Sequence, residues 1–230
     1  MSNRLRLAPL DLYARLQDDG ARPRLAFSSA DGERLELSGR VLANWSAKTA
    51  NLLVGEAHAE TGSTVGTDLA RHWRPLVWAL GTWLTGATVV LPGTADGDQA
   101  GYDAVITTDP ERWLPGSDVV VAVPLPSFAL RWPGTLPGAA LDGSADVASH
   151  PDALGPVAGI DPDAVALQVG AATWTYATLS AGDQIDPTLA EHPLAGPLLA
   201  VVAALADSSD VVALKAARAM GPLARPNVEH

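Results

Sequence analysis

Apolar residues recur at helical spacing in three stretches of the first half of the chain. The stretches are Pro9–Leu16, Ser38–Leu53 and His72–Thr85. Positions three and four residues apart share one face of an α-helix, so each stretch predicts a helix that buries one face. Pro9 suits a first helical turn, and the Ser38 side chain can cap the second helix by accepting a backbone N–H. The predicted buried stripe of the third helix consists of Trp73, Leu76, Val77, Leu80 and Leu84.

Short runs rich in apolar and β-branched residues lie around these helices and predict strands. The runs are Arg24–Phe27, Arg34–Leu37, Ser63–Leu69, Thr88–Leu91, Tyr102–Thr107 and Asp118–Val123. The dipeptide Asp31-Gly32 between the first two predicts that they form a hairpin. Because the later strands alternate with helices, the pattern predicts βαβ crossovers and a parallel sheet that is covered on both faces.

A connection rich in Pro, Gly and Ala opens the second half of the chain, at 129–157. A structureless loop of that length is unusual in a compact domain, so we expect part of it to be helical. The elements predicted after it are strands at Ala164–Val169 and Thr173–Tyr176, a helix at Leu194–Leu205 and a strand at Val211–Leu214. The first two, on either side of Gly170, predict a second hairpin.

The predicted fold class is therefore α/β, a layered and mostly parallel sheet with helices on both faces and a few short hairpin strands. We expect a single domain over residues 1–230, because the length suits one sizeable core. Within it, 1–128 forms a first βαβ part and 158–230 a second part, joined by the connection at 129–157.

Composition excludes several classes of function. The hydrophobic fraction of 47% and the charged fraction of 18% predict a folded chain. The absence of cysteine excludes thiol catalysis and Cys-ligated zinc. With 26 acidic and 15 basic residues, the net charge of −11 argues against nucleic-acid and anionic-membrane partners. The sequence shows neither a secretory signal nor an apolar stretch long enough to span a bilayer, so we expect a soluble, cytoplasmic protein.

The most specific block reads HWRPLVWALGTWLTGATVVLP, from His72 to Pro92, and sets a helix, a Gly-Ala turn, a strand and a proline in one frame. Together with Arg34–Leu53 and the segment HPLAG at His192–Gly196, it resembles the N-terminal domain of the AMP-forming acyl-CoA synthetases and related adenylate-forming enzymes. Within that family, the chain looks most similar to short actinobacterial proteins that share its truncated architecture.

The resemblance implies a nucleotide site, and the sequence departs from the family's pattern there. Enzymes of the family hold the phosphates of ATP on a loop of the type YTSGTTGxPKG, whose small residues let backbone N–H groups approach the anion. The matching segment here, 168–176, reads QVGAATWTY, with one glycine, no following lysine and the bulky Trp174. The chain also stops before the family's acidic ribose-binding motif and its C-terminal domain with the catalytic lysine. We therefore expect no adenylation by this polypeptide alone and predict no catalytic residue.

The first functional hypothesis is a degenerate, non-catalytic domain that binds a small ligand in the remaining cleft. The residues predicted to line that cleft are Gly170, Thr173, Trp174, Thr175 and His192. ATP, AMP, CoA or an acyl group are the candidate ligands, no cofactor is required and no metal site is predicted. Trp174 either fills the vacated pocket or stacks on a flat ligand, and His192 either faces the cleft or is a hydrogen-bonded, partly buried side chain.

Two other hypotheses stay open. The second is an interaction module that binds itself or a partner protein through an exposed apolar patch, expected on the helix at Leu194–Leu205. The third is half of an AMP-forming acid–CoA ligase that becomes active only with a separate C-terminal domain. Fold alone does not decide among them, because function depends on the site.

Overall fold

The computed structural model describes residues 8–69, 71–91, 101–181, 185–207 and 210–216. The helices are α1 (Pro9–Asp19), α2 (Gly39–Ala57), α3 (Trp73–Leu84), α4 (Pro110–Trp113), α5 (Ala145–Ser149), α6 (Tyr176–Ser180), α7 (Pro187–Glu191) and α8 (Ala195–Asp207). The strands are β1 (Pro23–Ser28), β2 (Arg34–Ser38), β3 (Thr64–Thr67), β4 (Thr88–Leu91), β5 (Ala104–Thr107), β6 (Val119–Ala122), β7 (Leu141–Asp142), β8 (Val165–Val169), β9 (Ala172–Thr175) and β10 (Val212–Lys215). The predicted elements are all present with bounds shifted by a few residues, whereas α4, α6, α7 and β7 have no predicted counterpart.

Seven strands form one sheet in the order β7-β6-β5-β3-β4-β8-β9. Neighbours are parallel throughout, except that β9 returns antiparallel to β8. The predicted α/β class and mostly parallel sheet are therefore confirmed. The chain passes from β3 to β4 on one side and then crosses to β5 on the other side of β3. In open α/β sheets, ligands bind outside the carboxyl ends of the strands at such a switch point.

Helices cover the sheet unequally. Helices α2 and α3 supply most of the core on one face, where every residue of α3 except Pro75 is buried. On the opposite face, Val90, Tyr102 and Val105 form a smaller cluster with Trp113 of α4. The sequence predicted one buried stripe on α3, but this helix is central and is buried nearly all round.

A separate sheet of three strands has the order β10-β1-β2. Strand β1 is antiparallel to β2, as the Asp31-Gly32 turn predicts, and parallel to β10. The side chains of Leu25, Phe27 and Leu214 face the main core. Within the described ranges, no helix is long and apolar enough to cross a membrane.

Helix α8 lies in the core and does not present the apolar patch expected on it. Leu199, Val202 and Leu205 are fully buried and pack with residues of α3 and α1. The exposed residues of α8 are Ala200 and Asp207. The prediction of an exposed patch at Leu194–Leu205 is wrong, because tertiary packing uses the apolar surface of this helix inside the molecule.

Polar side chains of α2 hold the Pro/Gly/Ala-rich connection. Lys48 donates to the carbonyl of Ala148 at 3.0 Å and forms an ion pair with Asp152 at 2.8 Å. One turn along, the Asn51 side chain accepts the N–H of Gly155 at 2.9 Å. The expectation that the connection is partly helical is confirmed by α5, and these bonds to α2 position the irregular remainder.

Candidate functional site at the carboxyl edge of the sheet

The segment predicted to replace the nucleotide loop is a two-residue turn. Val169 pairs with Ala172, which leaves Gly170 and Ala171 as the whole loop between β8 and β9. Gly170 has a φ of 57°, in the left-handed region, and the side-chain amide of Gln168 donates to its carbonyl at 2.9 Å. Phosphate binding needs a concave run of several backbone N–H groups, which two residues in a tight turn do not provide.

The predicted residues of β9 serve local structure. Thr173 is exposed, and Trp174 is half-buried against the main core. The hydroxyl of Thr175 accepts the N–H of Thr178 at 3.1 Å and so caps α6. The same device starts α2, where Ser38 accepts a backbone N–H. The passage from strand to helix is therefore capped in the same way at Thr175 and at Ser38.

His192 lies apart from the hairpin, just before α8. Its Nδ1 accepts the N–H groups of Leu194 at 3.3 Å and Ala195 at 3.1 Å. The ring thus stabilises the first turn of α8, whose N–H groups have no partner within the helix. Of the five predicted site residues, Gly170, Thr173, Trp174 and Thr175 share one hairpin. His192 lies two residues before Leu194, which lines a cavity.

That cavity, of about 30 Å³, lies outside the carboxyl ends of β3 and β4. Its apolar walls include Leu76, Leu91, Leu194, Leu198, Val201 and Leu214. Its polar lining comes from Thr67, Arg71 and His72. A space of this volume accommodates about one water molecule. The switch point of the sheet therefore carries a small, largely apolar cavity beneath α8.

His72 connects the cavity to a polar cluster. Its Nδ1 accepts the N–H of Arg74 at 3.2 Å, so the neutral ring carries its proton on Nε2. Nε2 lies 3.5 Å from Ser127 Oγ and 3.7 Å from the Glu33 carboxylate. Burial, helped by the nearby Arg74 charge, lowers the pKa of His72 from 6.5 to about 4. The ring is therefore neutral at pH 7.

Serine, histidine and glutamate in one cluster invite comparison with a hydrolase triad. A triad needs an unprotonated histidine nitrogen facing the serine, and the carboxylate on the other ring nitrogen. Here the nitrogen facing Ser127 carries the proton, and Glu33 lies on that same side of His72. Ser127 Oγ also accepts the indole N–H of Trp73 at 2.8 Å. The cluster therefore orients Ser127 and does not activate it.

Arg74 holds the loop that contains Ser127. Its side chain is only 2% exposed, and its guanidinium lies 4.8 Å from the ring centroid of Trp73. It donates to three carbonyls, those of Pro126 at 3.3 Å, Ser127 at 3.4 Å and Ala129 at 3.3 Å. Glu33 accepts the N–H of Ser127 at 2.8 Å. Burial lowers the pKa of Arg74 to about 10, so the side chain is charged at pH 7.

A half-buried acid lies at the switch point itself. Asp68, directly after β3, accepts the hydroxyl of Thr107 and the indole N–H of Trp113, both at 3.1 Å. Burial raises the pKa of Asp68. Among the described residues, no cluster of three or more His, Cys, Asp or Glu side chains could hold a metal ion.

Sequence reasoning missed Glu33, Arg74 and Ser127. The bond between Arg74 and Pro126 spans 52 residues, and that between Glu33 and Ser127 spans 94. The one available signal was Arg74 itself, a charged residue beside the predicted buried stripe of an apolar helix.

Three solved structures share the arrangement of the described elements. The acyl-CoA synthetase of Brucella canis matches with a TM-score of 0.55 and 23% identity, over 70% of this chain and 32% of its own. The acetoacetyl-CoA synthetase from Streptomyces lividans matches with a TM-score of 0.56 and 16% identity, over 69% of this chain and 27% of its own. An anthranilate CoA ligase in complex with anthranoyl-AMP matches with a TM-score of 0.50 and 16% identity, over 68% and 31%.

The fold is that of the N-terminal region of the AMP-forming acyl-CoA synthetases. This confirms the resemblance carried by the His72–Pro92 block. At such identities the likeness shows the acyl-CoA synthetase fold alone, and this chain spans about a third or less of those enzymes.

The sequence itself has a mycobacterial relative. A TIGR03089 family protein of Mycobacterium tuberculosis is 33% identical over 189 residues, which are 80% of this chain. The chain spans 63% of that relative's length. No family model matches the chain. The relative supports the predicted similarity to an actinobacterial group with the acyl-CoA synthetase fold.

Proposed function

We propose that this chain is a non-catalytic domain of the adenylate-forming fold that binds an acyl ligand in the crevice outside β3 and β4. The observation that carries the proposal is the turn at Gly170-Ala171, which replaces a phosphate-binding loop. Of the two lysines in the chain, Lys48 is paired with Asp152 and Lys215 lies on β10. Activation of an acid by ATP needs phosphate-binding groups that this arrangement does not supply.

The cavity favours an acyl group over a nucleotide. Its walls are mainly leucine, valine and proline side chains, which suit a hydrocarbon, and Arg71 at its polar side can pair with a carboxylate. Because the present volume is only about 30 Å³, entry of an acyl chain requires Leu198 of α8 and Leu194, just before α8, to move outward.

Thermal unfolding with carboxylic acids of increasing chain length, an acyl-AMP mimic, CoA and ATP·Mg tests this proposal. A ligand that binds only the folded chain at 100 times its dissociation constant stabilises it by about 2.7 kcal/mol. We expect stabilisation by an acyl ligand and none by ATP·Mg. Leu198→Trp, which fills the cavity, removes the effect, whereas Leu10→Trp, on the exposed side of α1, retains it.

Two results would reject the proposal. Exchange of pyrophosphate into ATP in the presence of an acid, with the chain alone, would show catalysis. Failure of every acyl compound to raise the unfolding temperature would show that the crevice is not a binding site.

A further inference from the structure

The cavity beneath α8 has walls that differ in exposure. Leu194, Pro197 and Leu198 are half-buried, so each of them lies partly in contact with solvent. Arg71, which belongs to the polar lining, is exposed. Val201, three residues along α8 from Leu198, also lines the cavity but is only 6% exposed. The cavity therefore has a solvent-facing wall that can yield and, on the same helix, an inner wall at Val201.

The turn of α8 that follows Val201 is fixed by two arginines from other elements. Arg24 of β1 is fully buried and donates to the carbonyl of Leu205 at 2.8 Å. Arg15 of α1 donates to the carbonyl of Ala206. Carbonyls in the last turn of a helix have no partner within it, and positive charge at this end is favourable. Bonds from two other elements therefore hold the last turn of α8 in place.

The start of α8 is held by residues of its own segment. The ring of His192 accepts the N–H groups of Leu194 and Ala195. Gly196 lies against the carbonyl of Ala190 in α7, where a Cβ atom would come within 2.3 Å of the oxygen. These contacts join the start of α8 to the residues just before it, whereas the arginines join its end to α1 and β1.

We propose that Val201 limits the length of the acyl chain that the crevice accepts, so that its ligands are short carboxylic acids. This role rests on the proposed function, in which Leu194 and Leu198 move outward to admit the ligand. With its carboxylate at the exposed Arg71, a chain passes these leucines and ends against Val201. A longer chain would have to displace Val201 and the anchored turn behind it, and overfilling a close-packed interior is unfavourable.

Calorimetric titration of the 230-residue chain with linear carboxylic acids of increasing length measures this limit. Val201→Ala removes two methyl groups at the inner wall, so the longest acid that binds should gain about two methylene groups. An acid of that length should bind about tenfold more tightly to the variant than to the parent, the gain expected from burying two methylene groups. Val201→Ile adds a methylene group at the same place, so the longest acid that binds should lose about one.

Val202→Ala is the matched control. Val202 is the adjacent valine of α8, is fully buried and lies outside the cavity lining formed by the described residues. This variant should keep the limit of the parent.

Two kinds of failure can be told apart. Tight binding of long-chain acids by the parent, an unchanged limit in both Val201 variants, or an equal shift in Val202→Ala would overturn the role of Val201 and leave acyl binding in place. Binding of no acid by the parent or by any variant would reject the proposed function, and the role of Val201 with it.

Discussion

Two loops leave the same edge of the main sheet and are held in opposite ways. The turn after β8 is closed within its own hairpin, by Gln168 and the pairing of Val169 with Ala172. The loop after β6 is held by Arg74, 52 residues from Pro126 along the chain, and by Glu33. The first loop lies where the family's pattern implies chemistry, yet its polar groups serve local structure. The second loop lies outside any predicted site and is held by Arg74, a charged side chain that is only 2% exposed.

The largest effect is expected from loss of the long-range anchor. Arg74→Met keeps much of the side-chain volume but removes the charge that offsets Glu33 and Asp142, together with three hydrogen bonds. Removing one member of a buried charge cluster costs about 3–5 kcal/mol. Urea unfolding at pH 7 measures the loss, and cleavage by chymotrypsin after Phe128 reports whether the loop is released.

Arg112→Met is the matched control for that substitution. Arg112 also lies over an indole, 5.0 Å from the centroid of Trp113, but it is exposed. Its loss is expected to cost no more than about 1 kcal/mol. Equal losses in the two variants would show that Arg74 acts through stacking alone and not as the anchor of the loop.

An intermediate effect is expected from the pH dependence of stability. The pKa of His72 is about 4 in the folded chain, below its ordinary value of 6.5, mainly because of burial. Between pH 4 and pH 6.5, His72 is protonated in the unfolded chain and neutral in the folded chain. Stability conferred by the neutral ring is therefore complete above pH 6.5 and is lost as the pH falls towards 4, by at most about 3 kcal/mol.

His72→Asn tests that assignment. The side-chain oxygen of asparagine can still accept the N–H of Arg74 at the start of α3, but it does not titrate. Measured from pH 7 to pH 4, the unfolding free energy of the variant should decline less steeply than that of the parent. Parallel curves would assign the acid sensitivity to other groups.

The same contrast explains what the sequence could and could not predict. The block from His72 to Pro92 has helix, turn and strand signals within twenty-one residues, and its elements are where the pattern placed them. The caps at Ser38 and Thr175 act over three residues and are readable in the same way. Burial of α3 on nearly all sides cannot be predicted from local sequence, since it depends on which elements pack around that helix.

The candidate site shows the same difference between features set by consecutive residues and features set by long-range contacts. Sequence reasoning reached the hairpin at Gly170 because a family pattern is written in consecutive residues. It could not reach the cluster of Glu33, Arg74 and Ser127, since nothing local indicates that these three meet. The wrong prediction of an exposed patch on α8 has the same origin. An apolar helix has the same sequence pattern whether it packs against the core or against another molecule.

The smallest effect is expected in the turn itself. Gly170 has a φ of 57°, which an L side chain adopts at a cost of about 1 kcal/mol. Gly170→Ala should lower the unfolding temperature by about 2–4 °C, and Gly170→Asn by less, because asparagine tolerates this conformation better. The loop after β6, which Arg74 holds, should keep its resistance to chymotrypsin in both variants, since the turn at Gly170 is closed by its own residues. Release of that loop by Gly170→Ala would show that the two loops are coupled through the sheet, and the division between a locally closed turn and a remotely anchored loop would then fail.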